Sequence, residues 1–561
     1  EKPIYGLGLL IFLINFCYFN LDLSLKYFIF IIFSLFIIGI IVSYFQKQNL
    51  LSELNAIFKD MLLLQIFFSL IAILYGEQFY VFRGNIHDHF AYLTSGLMFN
   101  EYSFQELLKM NNPSYISNLD DNKFYLSNSW HIINSRPSAQ LIIGMLMNID
   151  FIDPIKIGYI FKSTASLLVL LSCFSFFQLF LIKDKLNLFV SYSFLLSFFY
   201  FYNYEIDAYS LILSLPFLYL ILKQSFNLNE NTINFNKIFY YKYIFLWSIY
   251  FIIYPNGAII FAVPIFFYIL YLVLKNKFDF SIIIKLFLFL ILFLLLIVPT
   301  FESTVMYLYK SEIPVGFIHK MDFWGYYGAF ILGKDNPIHN YSVVVQIKEL
   351  WSSGLSINQI LKSIYNINIE NDNHFFVLNI LPSILGMFHF SSSSAYGYFN
   401  YFLIIFLVML NFLFIKNIFL NIKIIFKSKE NFYVLYKFLI IYFTLFFLYL
   451  VVNTQFWPAI KLYFVFSPLF FILISFKFKE YSYPVSRNFI LFLLMMLPLY
   501  KYSDFNSGIG RIDSFPSIIK KENKTKINWS VDRDKLIKCQ NIEYDFDEKF
   551  KKIYISIIHS K

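Results

Sequence analysis

Long apolar runs separated by short polar breaks repeat along most of the chain. A helix rises about 1.5 Å per residue, so about 20 apolar residues cross the hydrocarbon core of a bilayer. Runs of this kind lie at 4–20, 27–45, 61–80, 157–182, 186–203, 207–222, 239–254, 257–275, 281–299, 398–416, 432–452, 459–476 and 487–501. The pattern predicts an all-α polytopic membrane protein with about 13 transmembrane helices. Several runs are joined by tight hairpins. Tyr254-Pro255-Asn256-Gly257 reads as one such turn, because Pro and Gly break the helix there.

The polar breaks fall into two alternating sets. One set carries Lys47 and Lys59, then Lys183 and Lys185, then Lys223, Lys237 and Lys242, then Lys275, Lys277 and Lys285. It continues with Lys416, Lys423, Lys427, Lys429 and Lys437, and with Lys477, Lys479 and Arg487. The opposite short breaks, at 203–206, 254–257 and 453–458, contain no Lys or Arg. Basic loops stay on the cytoplasmic side. The N-terminus is therefore expected in the cytoplasm, in the inner membrane of a bacterium. The loops 81–156 and 300–397 and the tail 502–561 are expected on the outer, periplasmic or extracellular face.

Residues 1–501 then form a transmembrane domain, and 502–561 a small polar outer appendage with short strand-like patterns at Ile527–Val531 and Lys552–Ile558. A loop as long as 81–156 is unusual without structure of its own. Phe90–Phe99 and Phe104–Met110 read as short helices. Pro137–Met147 is apolar and amphipathic and begins with Pro, a favoured first helical residue. Such helices lie in the membrane interface. In the second loop, Val343–Trp351 and Ile357–Tyr365 are helix-like, and Phe375–Phe390 is apolar enough to be interfacial or re-entrant.

Composition agrees with the pattern. Of 561 residues, 59% are hydrophobic and 14% charged, against about 25% charged in soluble domains. The 75 Phe and 44 Tyr, with abundant Ile, Lys and Asn, read as the codon bias of an AT-rich bacterial genome. The net charge of +10 sits in the loops, so it belongs to membrane topology and not to nucleic-acid binding. Of the three cysteines, Cys17 and Cys173 lie in apolar runs, and no CxxC spacing occurs, so neither a disulfide framework nor a zinc site is expected. No cleavable signal peptide stands out, and the missing initiator Met points to a trimmed start.

The candidate chemistry gathers on the expected outer face. Arg83-Gly84-Asn85-Ile86-His87-Asp88-His89-Phe90-Ala91-Tyr92 follows the third run directly. Asp88 is placed to act as a general base, tuned or oriented by His87 or His89. The same residues also read as ordinary polar groups capping an interfacial helix, with Asp88 complementing its dipole. Asn203-Tyr204-Glu205-Ile206-Asp207 puts two carboxylates in the next outer loop. They are a second carboxylate for the reaction, or merely the polar residues a tight loop needs. No cofactor is specified; a divalent cation, Mg or Mn, held by Asp88, Glu205 and Asp207 is the one candidate. Arg136, Lys162 and Lys461 are cations near the same face. They suit a lipid phosphate or diphosphate, or they snorkel to headgroups. His131, His319, His339, His374 and His389 show no metal-ligand spacing. No nucleotide-binding glycine motif is present.

This layout resembles the GT-C superfamily of membrane glycosyltransferases, which includes lipid A aminoarabinose transferases and protein O-mannosyltransferases. Arg83–Tyr92 looks like the family's acidic motif at the end of a membrane helix, and Arg136-Pro137-Ser138 like the Arg-Pro step before a later helix of that loop. Glu205 and Asp207 match the second acidic loop, and Lys461, Tyr463 and Ser467-Pro468 are similar to the basic-aromatic segment of a late span. The resemblance covers roughly 60–470. It implies a GT-C-like bundle with interfacial helices in the first outer loop. It also implies a polyprenyl-phosphate sugar as donor, delivered from the lipid, and a glycan, lipid or protein acceptor. A nucleotide sugar is disfavoured at a site facing away from the cytoplasm. Asp88, with Glu205 and Asp207, would then carry catalysis with inversion. Arg83, His87, His89, Tyr92, Arg136, Lys162, Lys461 and Tyr463 would line the substrate site.

Two other readings stay open. An O-antigen or capsule polymerase or ligase also joins lipid-linked glycans at the outer face, but relies on loop Arg and His. Here the outer Arg are sparse: Arg83, Arg136, Arg511 and Arg533. A lipid or glycan transporter would be expected to show inverted repeats and midplane charges, and neither pattern is seen.

Overall fold

The computed structural model describes residues 1–28, 137–149, 154–180, 208–228, 237–275, 286–298, 418–452, 456–475, 526–529 and 536–539. It also describes positions scattered over 30–62, 92–106 and 190–200, and residues 284, 300, 353, 354 and 416. The expected runs at 61–80, 398–416 and 487–501 therefore lie wholly or almost wholly outside the described residues. So do the helix-like pieces of 300–397 and the pattern at Lys552–Ile558.

Five of the expected runs fold as helices α1 (Lys2–Phe19), α3 (Pro154–Phe177), α4 (Tyr209–Phe226), α5 (Lys237–Ile253) and α6 (Pro255–Lys275). Three more are α7 (Leu286–Val298), α8 (Asn431–Val452) and α9 (Phe456–Ser475). Between α1 and α3 lies the short α2 (Pro137–Leu146). Five stretches among the described residues are long and apolar enough to cross a membrane: Lys2–Phe19, Ile160–Phe177, Tyr209–Phe226, Pro255–Lys275 and Asn431–Tyr449. Proline opens α2, α3 and α6, where its missing N–H has no intrahelical partner to lose. Pro216, Pro264 and Pro468 sit inside α4, α6 and α9. Membrane helices tolerate such interruptions when neighbours satisfy the freed carbonyls.

Large apolar side chains face outward as well as filling the core. Phe266 and Leu274 of α6, Phe287 and Leu295 of α7 and Leu445 of α8 are exposed. Ser166, Ser210, Ser214, Ser225 and Ser248 are completely buried. Four of those serines return their hydroxyls to carbonyls three or four residues back: Ser166 to Lys162 at 2.7 Å, Ser214 to Leu211 at 2.7 Å, Ser225 to Ile221 at 2.8 Å and Ser248 to Ile244 at 3.0 Å. Small polar residues inside and large apolar ones outside suit a bundle surrounded by lipid. The chain is a helical membrane protein.

Side-chain pairs set the direction of each helix. Phe161 packs on Tyr209 and Phe176 on Phe226, so α3 and α4 run parallel. α1 is antiparallel to both: Glu1 reaches Ser175 and Lys223, whereas Tyr18 donates to the Tyr102 carbonyl and Asn15 to Ser138. α5 and α6 form a helical hairpin, since Tyr243 bonds Ser225 and Tyr268 donates to the Leu228 carbonyl, both near the end of α4. α6 and α8 are antiparallel through Tyr268–Phe438 and Lys275–Asn431. α8 and α9 pair through Phe443–Phe470 and through the Tyr436 hydroxyl, which donates to the Leu469 carbonyl. The starts of α3, α4, α6 and α9 thus share one end, the Tyr209 end. The start of α1, with Lys223, Lys242 and Lys275, lies at the other. The breaks that carry Lys223, Lys242 and Lys275 thus fall at one end of the described helices.

Two details differ from expectation. The α5–α6 turn uses Tyr254 alone, and Asn256 and Gly257 already belong to α6. Pro255 has the right φ to start a helix, and the rings of Tyr250 and Tyr254 occupy the space a Cβ at Gly257 would need. Second, α2 is not a lipid-lying amphipathic helix: Pro137 through Gly144 are all buried, so protein covers every face. A Cβ at Gly144 would run into the Gly96 backbone carbonyl and Leu25. Two helical segments meet there at backbone distance.

In the C-terminal region, β1 (Lys526–Trp529) and β2 (Leu536–Cys539) pair antiparallel, Lys526 opposite Cys539. β1 overlaps the expected Ile527–Val531 strand, starting one residue earlier and ending two residues earlier. β2 was not anticipated.

Candidate active site

At the Tyr209 end, three segments distant in sequence meet. Tyr92, the last residue of the Arg83–Tyr92 motif, is helical, α3 carries Lys162, and α4 begins at Tyr209, directly after the second acidic loop. The Tyr92 hydroxyl is 3.0 Å from the Ser210 hydroxyl. Its ring meets the Tyr209 ring at 4.9 Å and 70°. Phe161 meets the same ring at 5.3 Å and 68°, an edge-on contact that aromatic quadrupoles favour. The Lys162 ammonium stands 6.0 Å from the centre of that ring, at the outer limit of a cation–π contact.

Local sequence explains each placement. α4 is apolar from its first residue, so Tyr209 is drawn fully into the core. Tyr92 is also buried and keeps its hydroxyl satisfied through Ser210, as a buried phenol requires. Lys162 lies two turns inside α3 and is half-buried, its stem running along the helix toward the aromatic cluster. One turn further in, the Ser166 hydroxyl bonds both the Lys162 carbonyl and the Tyr200 hydroxyl, the latter at 2.5 Å.

Of the candidate residues, Tyr92 and Lys162 are brought to one junction. Tyr463 is buried in α9 and stacks on Phe470, 5.4 Å away on the same helix. Lys461 lies in the opening turns of α9. Late in that helix, Phe471 packs on Phe177, the last residue of α3. The start of α9 therefore lies at the same end as Lys162 and Tyr209. Arg83, His87, Asp88, His89, Arg136, Glu205 and Asp207 lie outside the described residues. Among the described residues, no three His, Cys, Asp or Glu side chains converge as a metal site. The candidate cation ligands Asp88, Glu205 and Asp207 are not among them.

Tyr209 and Ser210 were not singled out from sequence, although they anchor the junction. The one local signal is position: an aromatic and a hydroxyl residue opening a span immediately after an acidic loop. Their partners, at 92 and at 161–162, are too far away along the chain to be read from any short motif.

No protein-family model matches the chain, and no curated protein matches it.

Proposed function

We propose that the protein is an inverting membrane glycosyltransferase of GT-C type, with about 13 spans. It would transfer a sugar from a polyprenyl-phosphate donor to a glycan, lipid or protein acceptor at the outer face of a bacterial inner membrane. The observation that carries the reading is the meeting of Tyr92, Lys162 and Tyr209–Ser210 at the end of the bundle opposite the lysine-rich one. Both acidic segments adjoin residues of that junction in sequence. Four residues lead from Asp88 to Tyr92 and two from Asp207 to Tyr209, so covalent reach limits the Cα separations to about 14 Å and about 7 Å. A cation at a junction that two acidic segments adjoin in sequence suits a lipid-borne phosphate leaving group and a base for an incoming hydroxyl.

The acceptor oxygen attacks the anomeric carbon and forms the new glycosidic bond. The bond from that carbon to the phosphate oxygen breaks, and the polyprenyl phosphate leaves with the electron pair. Asp88 takes the acceptor's hydroxyl proton, and Lys162, with Arg136 or Lys461, balances the charge on the phosphate. Asp88→Asn is expected to abolish transfer from a polyprenyl-phosphate sugar in proteoliposomes while leaving expression and membrane insertion unchanged. Full transfer by that variant would remove Asp88 as the base.

A further inference from the structure

We propose that the outward face of the helical residues before α8, carrying Lys416, Lys423 and Lys427 beside Phe419 and Phe426, binds an anionic phospholipid. Lys416 and residues 418–427 are helical. Two side chains fix which face turns inward. Asn421 is completely buried and donates to the Leu473 carbonyl at 2.8 Å, and Ile425 is completely buried four residues on. At 3.6 residues per turn, Lys416, Lys423 and Lys427 then fall within about 40° of one another on the opposite face. All three are exposed. Phe419 and Phe426 border that stripe on one side and Leu420 on the other, and these too are exposed. The stripe's height follows from Leu473, which lies near the end of α9 and hence at the lysine-rich end of the bundle. The loop that follows is tied down: the Lys437 ammonium donates to the Ser428 carbonyl at 2.6 Å, and Lys275 donates to Asn431 at 3.3 Å. From 416 to 437 the chain carries five Lys against one acidic residue, Glu430. Exposed phenylalanines favour acyl chains, and long lysine stems carry their ammonium groups to the headgroup level. A row of ammoniums there attracts a headgroup with net negative charge and does little for a zwitterionic one, whose own cation opposes it. The proposal stands apart from the transferase reading, since it concerns the other end of the bundle.

The test uses full-length protein in nanodiscs of phosphatidylglycerol and phosphatidylcholine in equal amounts. A photoreactive p-benzoylphenylalanine placed at 419 captures neighbouring lipid, and mass spectrometry identifies it. Phosphatidylglycerol should be captured about fivefold more often than phosphatidylcholine. Combining Lys416→Gln, Lys423→Gln and Lys427→Gln should return capture to the bulk ratio, whereas Arg at the same three positions should keep the preference. A charge-matched control, Lys26→Gln with Lys59→Gln and Lys242→Gln, removes three other exposed lysines and should also keep it. Capture at the bulk ratio with all lysines present would overturn the proposal, and that measurement does not depend on how the lysine variants fold. So would a preference that survives the Lys416, Lys423 and Lys427 changes, or one lost equally in the control, since the lipid would then be answering net charge and not this face.

Discussion

The two ends of the bundle use the same side-chain types to different effect. At one end, the Lys223 ammonium donates to the Glu1 carboxylate at 2.8 Å and to the Ser175 hydroxyl at 2.7 Å. Beside it, Gln224 donates to the Tyr5 hydroxyl at 2.9 Å, and Lys242 lies over the Tyr5 ring. This knot ties α1 to α3 and α4. At the other end, Lys162 lies over an aromatic ring, and the neighbouring hydroxyls bond each other. The first arrangement neutralises a charge within the protein. The second brings an ammonium to a π face where three segments distant along the chain meet.

The largest expected effect comes from Gly144→Leu. Its side chain would be driven into the Gly96 backbone, which cannot yield as a flexible side chain can. A loss of about 3 kcal/mol, or failure to accumulate in the membrane, is expected. Thermal unfolding in detergent measures it, and a stable variant would refute the view that backbone contact holds the Tyr209 end together. Tyr92→Phe sharpens the comparison. It keeps the ring against Tyr209 but deletes the bond to Ser210, at a cost of about 0.6 kcal/mol, the average found for hydrogen bonds between membrane helices. Thermal unfolding in the same detergent measures it.

The smallest effect is expected at the opposite end. Lys223→Met should cost about 0.5 kcal/mol, since both partners of the pair are partly exposed. Its signature is pH dependence. Burial alone would raise the Glu1 pKa, but the hydrogen bonds from Lys223 and Ser175 and the nearby positive charge outweigh it and hold the carboxyl below the usual 4.5. The advantage of the parent over Lys223→Met should therefore be complete above that value and vanish as the pH falls through the lowered one. Unfolding curves at pH 7 and pH 3 would show it. An advantage that persists unchanged in acid would mean the pair contributes by packing alone.

Helix positions were largely legible. The runs expected at 4–20, 239–254 and 432–452 differ from α1, α5 and α8 by only one or two residues at either end. The Tyr254 turn was foreseen, although shorter than expected, because a proline at a helix start looks much like a proline that ends one. The burial of α2 was not legible. Its one-sided apolar pattern fits a lipid surface, but a second helix opposite Gly144 covers the rest. The junction was half legible. Tyr92 and Lys162 were named as single residues at one face, and nothing in the sequence joined them through Tyr209.

The chain alone therefore determined that it lives in a membrane and where its described helices lie. Hydrophobic length and charge alternation act locally, and a bilayer reads both without reference to distant residues. Only the tertiary structure decided that Tyr209 is the meeting point of Tyr92, Phe161 and Lys162, and that Glu1 closes on Lys223. Those contacts join positions widely separated along the chain. They follow from which helices run parallel and which face each turns inward, and in a chain apolar on nearly every face no periodic pattern specifies that choice.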